Sequence, residues 1–283
     1  MPDSADVVLE TFALLASKAR PTRVLVVTDR PELATAVRGA SEVPLLVATS
    51  NRDVADEAGG RGARVLHLAD PLASGLALFP QIKEILLNAY LDGSVAPEDR
   101  VLCLAGSGEA LDVIVLFDVA RDLELGHLRE EIGARVSMAL VERVLRLAAE
   151  LSREGREGKP VGTLFVLGDS DAVLGHSRQA VLNPFEGHPP AARNLLADDA
   201  WETVKEFAQL DGAFVIREDG VVLAAGRYVQ LDHAGELQAG LGGRHLAAAS
   251  ITRATRAIAV AISSNGAIRV FKDGRVVMMV GKL

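Results

Sequence analysis

Short apolar runs alternate with helix-like segments in the first half of the chain, and this alternation limits the folds that it can adopt. Runs rich in valine and leucine cover residues 23–27, 64–66 and 100–104, and an arginine opens each of them. Segments of helical character over residues 31–39 and 76–88 lie between them. Strands that alternate with helices favour a parallel sheet with helices packed on its faces. We therefore predict an N-terminal α/β unit, preceded by an apolar N-terminal helix.

The second half of the chain has a different pattern, in which tight-turn sequences separate paired apolar runs. Asp-Gly and Asn-Gly pairs end at Gly220, Gly266 and Gly274, and such pairs supply the positive φ angles that hairpins need. They predict strands over residues 213–217, 221–225, 257–263, 267–272 and 275–280, with an earlier buried strand over 161–167. The pattern indicates a mixed, mainly antiparallel sheet flanked by helices.

Two helices are predicted around this sheet. Apolar residues recur every three or four positions from about residue 128 to residue 154, which predicts one long helix. A charged, glycine-containing run that stops at Pro160 marks its end. A second helix is predicted over residues 198–209, capped by Asp198 or Asp199. The span 177–190 contains two proline breakers, so we predict a loop there.

Composition sets outer limits on function. The 283 residues are 49% hydrophobic, which is enough for two domains of ordinary size. A net charge of -8 argues against a general nucleic-acid surface or an anionic-membrane surface. The N-terminus is acidic and no apolar run reaches roughly 18 residues, so we expect a soluble, cytoplasmic protein. The single cysteine, Cys103, excludes an intramolecular disulfide and lies in an apolar run typical of a buried core thiol.

Two glycine-containing turns are candidates for phosphate binding. The turn at residues 104–110 follows a predicted strand, but it lacks a third glycine at the right offset and a Walker lysine. A tight strand-to-helix turn fits it better. In residues 240–249, glycines lead into an alanine-rich helix whose first turn holds Arg244 and His245. Backbone N–H groups, the positive end of the helix dipole and a guanidinium can converge there on an anion.

A second motif precedes this turn, at the start of a predicted strand. Asp211, Gly212 and Ala213 offer a carboxylate to a hydroxyl or a metal, and their small side chains leave room for a ligand. In this order, Asp211-Gly212-Ala213 and Arg244-His245 resemble the two signature motifs of the diadenylate cyclase domain family. Members of that family make cyclic di-AMP from two ATP molecules.

The resemblance implies a fold and a division into domains. It covers roughly residues 155–283. Because diadenylate cyclase domains usually begin with a helix that packs on the sheet, we assign residues 1–126 to the N-terminal α/β domain and 127–283 to the cyclase domain. The layout of the first domain resembles the α/β module related to the C-terminal domain of pyruvate kinase. Some archaeal family members carry this module before the cyclase, where it would be regulatory.

The resemblance also implies roles for individual residues. Asp211 would contact the ribose hydroxyl as a base, an orienting group or a metal ligand, and Arg244 would bind phosphate oxygens. His245 would contact the metal or a phosphate. Asp211, Arg244 and His245 are thus the predicted catalytic residues, and Asp211 and His245 the predicted ligands of a divalent Mn²⁺ or Mg²⁺ ion. The predicted ATP-binding set adds Gly212, Ala213, Gly242, Gly243 and Ser263.

The sequence departs from the family at three positions, which leaves alternatives open. Gly243 and Leu246 stand where many members have threonine and arginine, and Ser264 stands where many bacterial members have an acidic residue.

The first alternative is a diadenylate cyclase for second-messenger signalling, which condenses two ATP with release of pyrophosphate. Each domain would hold one nucleotide, so it would act as a homodimer or higher oligomer. The second is a non-catalytic nucleotide-binding regulator with the same fold. The third places function in the N-terminal domain, as a small-molecule sensor.

Overall fold

The computed structural model describes residues 4–39, 43–106, 113–123, 125–155, 161–231 and 242–281. The chain divides into two compact units, unit 1 with residues 1–126 and unit 2 with residues 127–282. Three features named above lie outside the described residues: positions 107–110 of the first glycine turn, the charged run over 156–160, and Gly240 with Leu241. The similarity of unit 1 to a pyruvate kinase domain, and a regulatory role for it, stay predictions.

Unit 1 is built around a five-stranded sheet. Its elements are α1 (Ser4–Ala19), β1 (Arg23–Val27), α2 (Pro31–Gly39), β2 (Leu45–Thr49), α3 (Arg52–Gly60), β3 (Arg64–His67), α4 (Leu78–Leu91), β4 (Arg100–Ala105), β5 (Val113–Asp118) and α5 (Val119–Asp122). The strand order is β3-β2-β1-β4-β5, and all neighbours are parallel except β4 and β5. The predicted alternation of strands and helices is confirmed, with β2, α3, β5 and α5 as elements that the sequence analysis missed.

The three central strands of unit 1, β2, β1 and β4, are buried along most of their length, as expected for parallel strands that are covered on both faces, whereas the outer strands β3 and β5 are more exposed. Val24 of β1 and Leu102 of β4 pack in one cluster with Phe12 of α1, and all three are fully buried. Cys103 is also fully buried, and burial raises the pKa of its thiol. The prediction of a core thiol is therefore confirmed.

Unit 2 contains a seven-stranded mixed sheet. Its elements are α6 (Leu125–Ile132), α7 (Met138–Glu154), β6 (Leu164–Leu167), α8 (Ser170–Gly175), β7 (Ser177–Gln179), α9 (Trp201–Phe207), β8 (Ala213–Ile216), β9 (Val222–Val229), α10 (Gly243–Ala254), β10 (Ile258–Ile262), β11 (Ile268–Lys272) and β12 (Arg275–Val280). The order is β12-β11-β10-β6-β8-β9-β7, and among these strands only β6 and β8 are parallel neighbours. The predicted mixed, mainly antiparallel sheet is confirmed.

The prediction of one helix over residues 128–154 is wrong, because α6 and α7 divide this span. Gly133 has a φ of +60°, a left-handed conformation that ends α6. The side chain of Ser137 then caps α7 by accepting a hydrogen bond from the backbone N–H of Leu140 at 3.3 Å. The apolar spacing runs across the break because apolar residues on both sides of it are buried.

The predicted cap of the helix over residues 198–209 is also wrong. Asp198–Ala200 forms a 3₁₀ turn, and α9 follows it without a side-chain cap from either aspartate. The Asp198 carboxylate instead accepts a hydrogen bond from the guanidinium of Arg143 on α7. This pair links the turn to α7, which explains why the aspartate does not face the helix N-terminus.

The two faces of the sheet in unit 2 carry different cores. Leu164, Ala213 and Ala248 belong to a cluster between the sheet and α10. Phe165 and Phe214 point to the opposite face, since side chains alternate along a strand, and their ring centroids are 5.1 Å apart. The small side chains on the α10 face leave room for a cleft at its edge. Within the described part of the chain, no helix combines the length and the apolar character that a membrane crossing requires.

Candidate active site

A cleft of about 860 Å³, including its solvent-open mouth, lies between the sheet of unit 2 and the first turn of α10. Its lining joins Asp211, Gly212 and Ala213 to Gly243 and Arg244. The other lining residues are Leu164, Arg227, Tyr228, Val229, Leu231 and Ala247. The fold therefore brings the first predicted motif and Arg244 of the second together in one cleft.

The backbone requires the glycine of the first motif. Gly212 has a φ of +108°, and a Cβ atom there would lie 2.8 Å from the backbone N of Arg227. That contact is too close for any side chain, because β9 passes directly against the start of β8. The close approach puts Asp211, just before β8, beside Tyr228 on β9.

Asp211 is held by two neutral donors. Its Oδ2 atom accepts a hydrogen bond from the hydroxyl of Tyr228 at 2.8 Å, and its Oδ1 atom accepts one from the N–H of Gly212 at 3.1 Å. The same contact with Asp211 raises the pKa of Tyr228, because the carboxylate favours the protonated phenol. No Lys, Arg or His among the described residues forms an ion pair with Asp211.

Arg244 brings a positive charge to the other side of the cleft. It follows Gly243, the first residue of α10, so the guanidinium and the positive end of the helix dipole lie close together. Its guanidinium packs over Gly162, where a Cβ atom would lie 2.6 Å from Nη1 of Arg244. Within the described ranges, Arg244 forms no ion pair with a carboxylate. With respect to the carboxylates that the structure describes, the guanidinium of Arg244 is therefore available to an anionic ligand.

His245 is placed differently from the other motif residues. It is buried, with 5% of its surface exposed, and it does not line the cleft. Its Nε2 atom lies 2.8 Å from Nη1 of Arg269, and since a guanidinium can only donate, Nε2 must accept. Burial, together with the nearby charges of Arg269 and Arg244, lowers the pKa of His245. The imidazole is therefore neutral, and Nε2 is already engaged.

Gly242 and Ser263 also lie outside the lining of the cleft. Gly242 is the exposed N-cap residue of α10. The hydroxyl of Ser263 donates to the carbonyl of Ala267 at 2.9 Å and contacts Oδ1 of Asn265, so it closes the turn between β10 and β11. The roles of Gly242, His245 and Ser263 toward ATP stay predictions.

Two polar residues of the cleft were missed by the sequence analysis. Tyr228 and Arg227 interrupt the apolar run of β9, and such an interruption next to a predicted site was the available signal. Arg227 donates to the Oγ and carbonyl of Ser177 and to the carbonyl of Leu174, all within 2.8 Å. Burial lowers its pKa. Arg227 thus ties β9 to the end of α8 through neutral acceptors.

The residues of the cleft fit one particular kind of divalent metal site. Among the described residues, no group of three or more His, Cys, Asp and Glu could hold a metal ion. Asp211 is the carboxylate in the lining, and His245 lies outside it. Mg²⁺ is commonly bound by one or two carboxylates together with substrate phosphates, and Mn²⁺ prefers the same oxygen ligands. The arrangement fits an ion shared between Asp211 and a bound polyphosphate.

Comparison with known proteins gives the family. Residues 150–276 match the family model described as DisA bacterial checkpoint controller nucleotide-binding. A protein named diadenylate cyclase from Methanocaldococcus jannaschii is 42% identical over 171 residues, which cover 59% of this chain and 54% of the relative. Another of that name, from Haloferax volcanii, is 34% identical over 183 residues, which cover 64% of this chain and 67% of the relative. The chain belongs to the diadenylate cyclase family. It spans about half the length of the Methanocaldococcus relative.

Two solved structures are similar to part of this diadenylate cyclase family member. One is a hypothetical membrane spanning protein from Bacillus cereus, with a TM-score of 0.38 and 16% identity, covering 56% of this chain and 70% of that chain. The other is a double mutant of DacA from Staphylococcus aureus, with a TM-score of 0.35 and 23% identity, covering 50% of this chain and 85% of that chain.

Proposed function

We propose that this protein condenses two ATP molecules into cyclic di-AMP, a nucleotide second messenger, and releases two diphosphates. The observation that carries the proposal is the single cleft in which Asp211-Gly212-Ala213 meets Gly243 and Arg244. The reaction needs the 3′-hydroxyl of one ribose to attack the α-phosphorus of the other ATP, with diphosphate as the leaving group. A reciprocal attack then closes the ring.

In this proposal, the first turn of α10 binds the phosphates of ATP. Arg244 is half-buried and unpaired with any described carboxylate, so its planar guanidinium can bind phosphate oxygens in pairs. The backbone N–H groups at the start of α10 add a positive dipole end at the same place. Both stabilise the negative charge that develops on the leaving diphosphate.

Asp211 acts, in this proposal, on the attacking ribose hydroxyl. Two donors fix its carboxylate at the mouth of the cleft, and a carboxylate has about four acceptor positions, so some still face the ligand. It can orient the attacking ribose hydroxyl and take its proton. A divalent Mn²⁺ or Mg²⁺ ion held by Asp211 and phosphate oxygens would neutralise charge on the reacting phosphate.

His245 acts, in this proposal, as a positioning residue. Its neutral ring accepts the hydrogen bond from Arg269 of β11, which links the first turn of α10 to the sheet. The neighbouring Arg244 therefore stays in place when phosphate binds. This role differs from direct metal contact, because Nε2 of His245 is already engaged with Arg269.

Assembly is part of the proposal. Each cleft supplies one carboxylate and one phosphate-binding arginine, which is one nucleotide's set of contacts. Two copies must therefore face each other so that each ribose hydroxyl reaches the other's α-phosphorus. Specific activity should fall when the protein is diluted below its dimer dissociation constant. Constant activity of a monomer, identified by sedimentation, would contradict this arrangement.

The direct test is product analysis. Purified protein is incubated with ATP and either Mn²⁺ or Mg²⁺, and cyclic di-AMP and diphosphate are quantified by chromatography and mass spectrometry. The expected result is one cyclic di-AMP for every two diphosphates. Tight ATP binding without any product would instead favour the non-catalytic regulator, which Gly243 and Leu246 suggested because they remove two polar side chains.

A further inference from the structure

The hydroxyl of Tyr228 contacts the functional group on which the proposed chemistry depends. It donates to Oδ2 of Asp211 at 2.8 Å, while the N–H of Gly212 contacts Oδ1. One donor on each oxygen fixes the carboxylate against rotation. The N–H of Gly212 follows directly in the chain, so the hydroxyl of Tyr228 is the contact that comes from another strand.

The ring that carries this hydroxyl is itself held from behind. Arg178 on β7 pairs in register with Tyr228 on β9, and its guanidinium carbon lies 5.2 Å from the ring centroid. A cation at this distance from an aromatic ring is attracted to it. Tyr228 is 39% exposed, and the guanidinium of Arg178 covers part of its ring.

We propose that Tyr228 is a positioning residue, whose hydroxyl holds the Asp211 carboxylate with its remaining acceptor positions toward the ribose hydroxyl of ATP. This inference rests on the proposed function and deepens it. A base must lie within hydrogen-bond reach of the proton that it removes, and misplacement by about 1 Å can cost roughly 100-fold in rate.

A phenol suits this role better than a cation would. An arginine or lysine in its place would neutralise Asp211 and compete with a metal ion or a ribose hydroxyl for it. The phenol orients the carboxylate and leaves its negative charge intact.

The first test is Tyr228→Phe, which removes the hydroxyl and keeps the ring. We expect kcat for cyclic di-AMP formation to fall about tenfold, as for the loss of one hydrogen bond to a charged group. Tyr90→Phe is the matched control, because it removes the hydroxyl of the other tyrosine in the sequence, which lies on α4 of unit 1 and does not line the cleft. Circular dichroism checks that both variants fold.

The second test does not depend on turnover. Dissociation constants for ATP and 3′-deoxyATP are measured for the wild type, Tyr228→Phe and Asp211→Asn. The wild type should prefer ATP because Asp211 accepts from the 3′-hydroxyl, and both variants should lose most of that preference. A residue that only supports the fold would weaken both nucleotides equally.

The outcomes separate this inference from the proposed function. If the wild type forms no cyclic di-AMP, the proposed function fails. If the wild type forms it, and Tyr228→Phe matches the wild type in kcat and in preference for ATP, the positioning role is wrong. Equal weakening of ATP and 3′-deoxyATP by Tyr228→Phe would also overturn it, since the residue would then act on the fold or on the base.

Discussion

Asp29 in unit 1 and Asp211 in unit 2 both lie two residues from a strand, yet their surroundings differ. The Asp29 carboxylate accepts four hydrogen bonds from residues 49–51. These hydrogen bonds connect the end of β1 to the end of β2. Asp211 accepts only two from described residues, from Tyr228 and Gly212. A carboxylate has about four acceptor positions, so Asp29 is fully used by the fold and Asp211 is not.

Residue type and strand position therefore do not separate an aspartate that is fully hydrogen-bonded within the fold from one that a ligand can reach. The two aspartates differ in the number of hydrogen-bond donors that the protein supplies to each carboxylate. Around Asp29, burial opposes the charged form, but hydrogen bonds from Thr49, Ser50 and Asn51 outweigh it and lower the pKa of Asp29. Its charge therefore serves stability, whereas the charge of Asp211 stays available to a ligand.

The largest expected effect distinguishes the two aspartates by turnover. Asp211→Asn should reduce the rate of cyclic di-AMP formation by about 100-fold or more, because it removes a general base or its equivalent. Asp29→Asn should leave turnover per folded molecule unchanged. Initial rates of both variants, normalised to folded protein, check this. Near-normal turnover of folded Asp211→Asn would remove Asp211 from the mechanism.

The next effect concerns Arg244, which lines the same cleft as Asp211. Arg244→Ala should weaken ATP binding about tenfold to a hundredfold and leave adenosine binding nearly unchanged, since it removes a charge-assisted bond to phosphate. Arg129→Ala, on the exposed side of α6, is the control. Calorimetric titration measures both ligands. Equal loss for ATP and adenosine would assign Arg244 to the fold.

Asp29 should show its effect in the stability of unit 1. Asp29→Ala is expected to lower the free energy of unfolding by about 1.5 to 3 kcal/mol near neutral pH, the range for hydrogen bonds to a charged group. Because the pKa of Asp29 is lowered on folding, its contribution is present above the unfolded value of about 3.9 and is lost as pH falls through the folded value.

Urea unfolding at several pH values measures this contribution. The stability difference between the wild type and Asp29→Ala should shrink as pH falls below about 4, when the carboxylate is protonated in both states. A difference that stays constant from neutral to acidic pH would mean that the charge of Asp29 is unimportant. In that case, Asp29 would differ from Asp211 only in the number and arrangement of its hydrogen bonds.

The smallest expected effect tests the packing of Arg244. Gly162→Ala would place a Cβ atom 2.6 Å from Nη1 of Arg244 and 3.1 Å from the carbonyl O of Ile262, so the guanidinium must move. We expect ATP affinity to fall a fewfold, with adenosine unaffected. Gly175→Ala is the matched control, because a Cβ atom there meets nothing within 4 Å. Unchanged ATP affinity of Gly162→Ala would show that the position of Arg244 over Gly162 is unimportant.

Local signals predicted much of the fold. The hairpin turns were recognisable because Gly220, Gly266 and Gly274 have positive φ angles, which Asp-Gly and Asn-Gly sequences favour. The break between α6 and α7 at Gly133 was not recognisable, since buried apolar residues keep the same spacing on both sides of it. In unit 1, β2 was missed because no arginine opens it, unlike the strands from which the pattern was drawn.

The candidate site was predictable where its motifs are contiguous and not where it depends on strand pairing. Asp211 and Arg244 could be named from their neighbours in sequence. The contact of Tyr228 with Asp211 depends on the irregular register between β8 and β9, which shifts between Ala213 and Val215. The hydrogen bond between His245 of α10 and Arg269 of β11 joins residues that are distant in sequence, so no local pattern indicates it.

The burial of Cys103 gives the protein a natural reporter. It is the single thiol of the chain and lies fully inside β4, so a thiol-reactive dye can label it only when unit 1 opens. Labelling rates therefore follow the opening of unit 1 separately from that of unit 2. A cysteine introduced at the mouth of the cleft would be labelled in the native protein without background from Cys103, which makes the cleft accessible to site-specific fluorescence.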